Sequence, residues 1–126
     1  MHRARIVVAE DEMIVALDMK RRLECIGHCV LSMVRTGSAA IDHARMLDPD
    51  LLVMDISLEG ELDGLSAVEA IWKVRRIPVV FVSGFSDDTT RRKISLLQPA
   101  TLVPKPVEDH ELQMTIENVL SFGRAS

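Results

Sequence analysis

The chain alternates five times between two patterns of apolar residues. In the first pattern, short runs of apolar residues lack polar alternation, which is typical of strands buried on both faces of a sheet. In the second, apolar residues recur every three or four positions, which predicts amphipathic helices. Because the two patterns alternate, the sequence predicts repeated βα units and an α/β fold: a five-stranded parallel, doubly wound sheet with helices on both faces.

The boundaries of the predicted elements follow from the same patterns. The predicted strands cover residues 6–9, 29–34, 51–54, 79–82 and 101–103. Two of the predicted helices cover residues 37–46 and 88–97. The other three helices are marked by apolar stripes, which are Ala16, Met19, Leu23 and Ile26 before Gly27, then Leu65, Val68, Ile71 and Trp72, and last Leu112, Ile116, Val119 and Leu120.

Polar residues follow the predicted strands where each strand ends. In a parallel sheet these carboxyl ends lie at one edge, which is where ligands bind. Each of these residues has an ordinary structural explanation, such as capping the next helix or contacting solvent. Their coincidence at one edge favours a single site instead. Its members are Glu10 and Asp11 after the first strand, Asp55 after the third, Ser83 after the fourth and Lys105 after the fifth.

This set of side chains suits phosphoryl transfer. Clustered carboxylates repel one another unless a hard cation lies among them, and oxygen ligands suit Mg²⁺. One carboxylate can attack phosphorus, while the metal ion and a lysine neutralise the phosphoryl oxygens. The glycine-rich motifs G-x-x-x-x-G-K-[S/T] and G-x-G-x-x-G are both absent, so no motif predicts nucleotide binding.

Composition narrows the class of protein. The 126 residues suffice for one domain with its own core, and we expect residues 1–126 to form a single domain. A net charge of −4 argues against a DNA-binding module, and no apolar run is long enough to span a membrane. Cys25 and Cys29, separated by three residues, could form a disulfide, but we expect two buried thiols in a reducing cytoplasm instead.

The residues at the strand ends resemble the signature of the receiver domain of two-component response regulators, over essentially the whole chain. That signature is an acidic pair after the first strand, Asp after the third, Ser or Thr after the fourth and Lys-Pro after the fifth. Here these are Glu10 with Asp11, Asp55, Ser83, and Lys105 with Pro106. The resemblance implies a flavodoxin-like (βα)5 fold with strand order 2-1-3-4-5. It also implies a Lys105-Pro106 bond that is often cis, an isomer that proline makes accessible.

The resemblance further implies a role for each residue of the site. Asp55 would accept a phosphoryl group from a histidine kinase or a histidine phosphotransferase. Asp11 and Asp55 would bind Mg²⁺ directly, together with the backbone carbonyl of Ser57, and Glu10 would act through water. Ser83 and Lys105 would hold the phosphoryl oxygens.

The chain departs from the family pattern in three places. The loop after Asp55, I-S-L-E-G-E-L-D-G, lacks the usual proline and is one residue longer. Leu102 stands where many receivers have a Tyr or Phe that swings inward on phosphorylation. The segment P-V-V-F-V-S-G-F resembles the FAT GUY subgroup, whose pattern is P-x-x-F-A-T-G followed by Gly or Tyr, but deviates at Val82, Ser83 and Phe85. Without an aromatic at position 102, the Ser83 hydroxyl, moving with Gly84 and Phe85, is the candidate link from the site to the fourth helix.

We therefore expect a stand-alone, cytoplasmic phospho-receiver that acts as a signalling switch and is not a turnover enzyme. Its expected downstream partner is a protein bound by the fourth helix, fifth strand and last helix, where Arg91-Arg92-Lys93 could contact acidic residues. We expect a monomer or weak dimer, with no DNA and no membrane among its partners. One alternative is a pseudo-receiver, an interaction module that works without phosphorylation. Another is a metal-dependent phosphatase, which would normally need a second acid at position 57, where this chain has Ser57.

Overall fold

The structure is a computed structural model, and it describes residues 3–84 and 87–125, with side chains for 3–84 and 87–121. Strands and helices alternate along the chain. The strands are β1 (Arg5–Ala9), β2 (Cys29–Val34), β3 (Leu51–Asp55), β4 (Val79–Ser83) and β5 (Ala100–Pro104). The helices are α1 (Met13–Ile26), α2 (Gly37–Leu47), α3 (Gly64–Trp72), α4 (Asp88–Ser95) and α5 (Asp109–Ala125).

The five strands form one parallel sheet in the order β2-β1-β3-β4-β5. This confirms the predicted flavodoxin-like order 2-1-3-4-5. The order reverses between β1 and β3, so the carboxyl ends of these two central strands open onto the crevice where such sheets bind ligands.

Each face of the sheet is covered by its own group of helices. Side chains of β1, β3 and β4 that point to one face, among them Val7, Met54 and Phe81, pack with buried residues of α2, α3 and α4. Those that point to the other face, among them Val8 and Val53, pack with α1 and α5. The hydrophobic contribution of each such large side chain is about 1.5–3 kcal/mol, so the helices hold the strand ends in place from both sides.

The helix boundaries follow local chemistry. Gly27 ends α1 in the left-handed conformation at φ 111°, which a residue without Cβ adopts readily. The side chains of Thr36, Asp63 and Asp87 accept hydrogen bonds from backbone N–H groups at the starts of α2, α3 and α4, as N-caps do. The fourth helix is shorter than the predicted 88–97, because Leu96 and the residue after it turn back with i→i−3 hydrogen bonds that tighten its end.

The expectation of two buried thiols is wrong for Cys25. Cys25 is exposed and Cys29 is half-buried, and both thiols are free. Cys25 lies two residues after buried Leu23, which is about 200° around a helix with 3.6 residues per turn, so its side chain points away from the core.

Among the described residues, no helix is both long enough and apolar enough to cross a membrane.

Candidate functional site

The ends of the central strands place three buried polar side chains at one edge of the sheet. Glu10 follows β1, Asp55 is the last residue of β3, and Ser83 is the last residue of β4. Their exposed fractions are only 5%, 6% and 4%, respectively. The register of β4 and β5 pairs Ser83 with Pro104, which delivers Lys105 to the same edge. The predicted grouping of these strand-end residues is therefore what the topology produces.

Lys105 connects the two buried carboxylates. Its Nζ atom lies 3.1 Å from Glu10 Oε2 and 3.1 Å from Asp55 Oδ2. Its backbone N–H donates to the carbonyl oxygen of Ser83 at 2.8 Å. The Lys105-Pro106 peptide bond is cis, in agreement with the resemblance. The lysine is thus fixed at both its backbone and its side chain.

Three carboxylates meet beside this lysine. Glu10, Asp11 and Asp55 can each offer an oxygen atom, and these atoms all lie within 4.8 Å of one another. Carboxylates at such distances repel one another, and an oxygen-lined, partly solvated cluster is the ligand set that Mg²⁺ prefers. The donor chemistry therefore fits a magnesium ion. Ser57 donates its N–H to Asp55 Oδ1 at 2.9 Å, and the role of its carbonyl as a metal ligand stays a prediction.

The buried charges change the proton affinities of the cluster. Burial, together with the neighbouring Asp55 carboxyl, raises the pKa of Glu10 from 4.5 to about 7, against the opposing effects of the Glu12 N–H and Lys105. For Lys105, burial lowers the pKa, but the hydrogen bonds with Glu10 and Asp55 outweigh it, so the pKa lies above its ordinary value of 10.5. Lys105 is therefore a cation at neutral pH and can stabilise negative charge beside Asp55.

An arginine of α1 contacts the segment that follows Lys105. Arg22 Nε lies 2.6 Å from Asp109 Oδ1, and another N–H of the same guanidinium donates to the backbone carbonyl of Val107. Sequence reasoning missed this residue. Arg22 lies four positions after Asp18, a spacing typical of a solvated ion pair on a helix, so nothing in the local pattern indicates a contact 85 residues away.

The start of α1 presents an apolar surface beside the site. Met13, Ile14 and Leu17 are 54%, 84% and 49% exposed, respectively. They occupy the first turns of the helix that begins three residues after Glu10. Clustered exposed apolar side chains of this kind mark surfaces that contact another protein.

The chain matches a family and curated relatives over most of its length. Residues 6–117 match the response regulator receiver domain. The chain is 30% identical over 124 residues to the phyllosphere-induced regulator PhyR of Methylorubrum extorquens, which covers 96% of this chain and 45% of that protein. It is 31% identical over 121 residues to the transcriptional regulatory protein PdtaR of Mycobacterium tuberculosis, which covers 95% of this chain and 58% of that protein. The chain thus spans about half the length of these curated relatives.

Solved structures share the fold. The signal receiver domain of a modulated diguanylate cyclase from Desulfovibrio desulfuricans G20 matches with a TM-score of 0.85 and 26% identity, covering 95% of each chain. The anti-anti-sigma factor PhyR from Bartonella quintana matches with a TM-score of 0.83 and 28% identity, covering 99% of this chain and 50% of that chain. The family match covers receiver domains in general, so membership of the FAT GUY subgroup stays a prediction.

The family match over residues 6–117 agrees with the strand order and with an acidic cluster placed beside a lysine at the carboxyl edge of the sheet. The chain therefore belongs to the response regulator receiver domains, the family of two-component signalling.

Proposed function

We propose that residues 1–126 form a single receiver domain that accepts a phosphoryl group on Asp55 and works as a signalling switch rather than a turnover enzyme. The observation that carries the proposal is the placement of the Asp55 carboxylate. It is buried, lies within 4.8 Å of two further carboxylates that could share a metal ion, and lies 3.1 Å from the Lys105 ammonium.

In the proposed reaction, a carboxylate oxygen of Asp55 attacks the phosphorus of a phosphohistidine on a kinase or phosphotransferase. A P–O bond forms and the P–N bond breaks. The electron pair of the broken bond stays on the imidazole nitrogen, which takes a proton from solvent. The product is an acyl phosphate on Asp55.

The residues around Asp55 supply the charge compensation that phosphoryl transfer needs. The Lys105 ammonium neutralises charge on a phosphoryl oxygen, and Glu10 orients Lys105 through its 3.1 Å contact. The Ser83 hydroxyl donates a hydrogen bond to another phosphoryl oxygen. When bound, Mg²⁺ supplies further neutralisation of these oxygens. Asp11, Asp55 and the Ser57 carbonyl would hold the ion directly, and Glu10 would hold it through water.

The phosphodonor docks on the start of α1. The exposed side chains of Met13, Ile14 and Leu17 lie on the helix that begins next to the acidic cluster, so a helical partner that covers them brings its phosphohistidine close to Asp55. A phosphotransfer profile against purified histidine kinases and phosphotransferases tests this. If acetyl phosphate labels the domain but no phosphohistidine protein does, the proposal of a phosphohistidine donor is wrong.

The signal leaves through α4, β5 and α5 to a protein partner. An open groove of about 320 Å³ between α4 and β5 is lined by Arg91, Ile94, Ser95, Leu102 and Pro104. Nearby, Leu96 is 79% exposed. A mostly apolar groove with Arg91 in its lining suits an acidic segment with one large apolar side chain. The matched anti-anti-sigma factor is consistent with regulation through a protein partner.

Incubation with acetyl phosphate and Mg²⁺ tests the central assignment. Intact-mass measurement should show one added phosphoryl group, and removing Mg²⁺ or changing Asp55→Asn should abolish it. Asp63→Asn is the matched control, because Asp63 lies in the same loop and an asparagine there still caps α3. Normal labelling of Asp55→Asn would contradict the assignment. A parent protein that takes no label would favour the phosphorylation-independent pseudo-receiver.

A further inference from the structure

The segment that carries Lys105 must hold its ammonium group beside Asp55 with little freedom. Lys105 belongs to the short connection between β5 and α5. One side of this connection is fixed by the hydrogen bond from the Lys105 N–H to the Ser83 carbonyl. The other side begins at Val107, two residues later, whose side chain is buried in the core beside α1 and α5.

Arg22 supplies a contact at that position. Its guanidinium donates to the Val107 carbonyl and pairs with Asp109 at 2.6 Å, so one planar group binds both the connection and the first residue of α5. The Arg22 side chain is only 18% exposed, whereas that of neighbouring Arg21 is 77% exposed. A bond from a largely buried guanidinium to a backbone carbonyl restricts the chain more than an exposed ion pair does.

The position of Arg22 on α1 gives this contact a second consequence. α1 begins directly after the acidic residues Glu10 and Asp11, and Arg22 joins the same helix to the connection that carries Lys105. The two sides of the charge array, carboxylates and ammonium, are therefore linked through one rigid helix. The polar contacts of Arg22 with Asp18, Val107 and Asp109 all lie outside the acidic cluster.

We propose that Arg22 is a positioning residue for phosphoryl transfer, one that acts through Lys105. Arg22 keeps the β5–α5 connection against α1, and so keeps the Lys105 Nζ atom at hydrogen-bonding distance from Asp55. It does not contribute to metal binding. This inference rests on the proposed function of Asp55 as the phosphoryl acceptor.

The test compares Arg22→Met with Arg21→Met, which removes the same charge from the neighbouring exposed position. With acetyl phosphate and saturating Mg²⁺, Arg22→Met should be labelled about 10-fold more slowly than the parent, because a displacement of about 1 Å costs this much or more. Arg21→Met should stay within about 2-fold of the parent, since changes at independent surface positions have small effects. The Mg²⁺ dissociation constant of Arg22→Met, measured by calorimetric titration, should not increase.

The comparison with Lys105→Met separates positioning from general damage to the fold. Adding Arg22→Met to Lys105→Met should slow the residual labelling by no more than about 2-fold, because residues that act through one group are non-additive. If Arg22→Met does not fold, Asp109→Ala removes one of the two contacts at an exposed side chain and should show a smaller loss with the same dependence on Lys105.

Three results would overturn the inference. The first is labelling of Arg22→Met at the parent rate, and the second is an equal fold-loss of labelling rate from Arg22→Met in the parent and in Lys105→Met. The third is weaker Mg²⁺ binding by Arg22→Met. A parent protein that takes no label contradicts the proposed function itself, and this inference falls with it. A labelled parent that is insensitive to Arg22 contradicts only the positioning role.

Discussion

In the part of the chain that the structure describes, the buried polar or charged residues are Glu10, His28, Asp55 and Ser83. Three of the four belong to the candidate site, where a bound ion and a phosphoryl group would compensate for their burial. His28 lies elsewhere, and its Nδ1 accepts a hydrogen bond from the Ala4 N–H at 3.0 Å. Burial lowers the pKa of His28 below 6.5, against an opposing effect of Glu117. Burial thus favours the neutral imidazole of His28, whose Nδ1 has a structural role as an acceptor.

The free energy of unfolding should therefore depend on pH through His28. Since its folded-state pKa lies below 6.5, the unfolded chain binds more protons near and below that pH. The contribution of His28 to stability should be complete above pH 6.5 and fall as the pH drops below it, by at most about 1.4 kcal/mol per pH unit. Glu10 acts in the opposite direction, because its raised pKa lets the folded chain hold a proton that the unfolded chain has lost between about pH 7 and 4.5, so it adds stability as the pH falls. Urea unfolding at pH 7.5 and 5.5 measures this. His28→Asn keeps a hydrogen-bond acceptor that does not titrate and leaves Glu10 unchanged. On going from pH 7.5 to 5.5, the free energy of unfolding of the variant should therefore change more favourably than that of the parent, and an equal change in both would contradict the assignment.

The start of α3 lies directly against the end of β3, and this contact shapes the loop after Asp55. The Gly64 N–H donates to the Ile56 carbonyl at 2.9 Å. A Cβ atom at position 64 would overlap the Asp55 carbonyl oxygen and meet the Met54 side chain at 2.9 Å. The longer loop without proline therefore depends on glycine at the point where it enters α3.

Gly64→Ala should destabilise the domain by about 1–3 kcal/mol, because backbone must move to admit the methyl group. Gly84→Ala is the matched control, since its Cβ would meet no atom within 4 Å and its φ is not left-handed. Unfolding by urea should show the loss for Gly64→Ala alone. Equal midpoints for the two variants would show that α3 does not press against β3.

The path of the signal depends on how the end of β4 joins α4. Leu102 lines the α4–β5 groove at a position where other receivers move an aromatic ring. The remaining candidate is the Ser83 hydroxyl at the end of β4. Gly84 does not have a left-handed φ, so its backbone conformation in this link does not require glycine. Phe85, the other residue of this candidate link, lies outside the described residues.

Ser83→Ala should separate acceptance of the phosphoryl group from transmission of the signal. The variant should still be labelled at Asp55, since the attacking carboxylate and Lys105 remain. It should lose the phosphorylation-dependent NMR shifts of residues 84–97, because no hydroxyl is left to move toward the phosphoryl oxygen. If these shifts persist in full, the signal leaves through the loop between Asp55 and Gly64.

For the molecule as a whole, periodicity predicts the fold because both faces of the sheet are covered, so buried strands and helix stripes differ clearly along the chain. Topology then brings Asp55 and Lys105 together without any local signal being needed. What could not be predicted depends on packing between distant segments. The contact of Arg22 with Val107 is one such case. The outward direction of Cys25, by contrast, could have been predicted from the helix stripe, because Cys25 lies about 200° around the helix from Leu23.

The net charge of −4 predicts that this chain does not bind specific DNA sequences. The basic run on α4 is short and borders an apolar groove, which suits a protein partner better than a phosphate backbone. A fluorescence titration with duplex DNA at low salt should show no saturable binding. Salt-sensitive binding at nanomolar protein concentrations would contradict this prediction.

The most direct test of the account identifies the residue and the bond that carry the phosphoryl group. After labelling with acetyl phosphate and Mg²⁺, reduction with borohydride converts an aspartyl phosphate into homoserine and leaves a serine phosphate intact. Peptide mass spectrometry should then find homoserine at position 55 and no phosphate on Ser57 or Ser83. A hydroxylamine-stable phosphate on either serine, with Asp55 unchanged, would contradict the proposal that the Asp55 carboxylate is the phosphoryl acceptor.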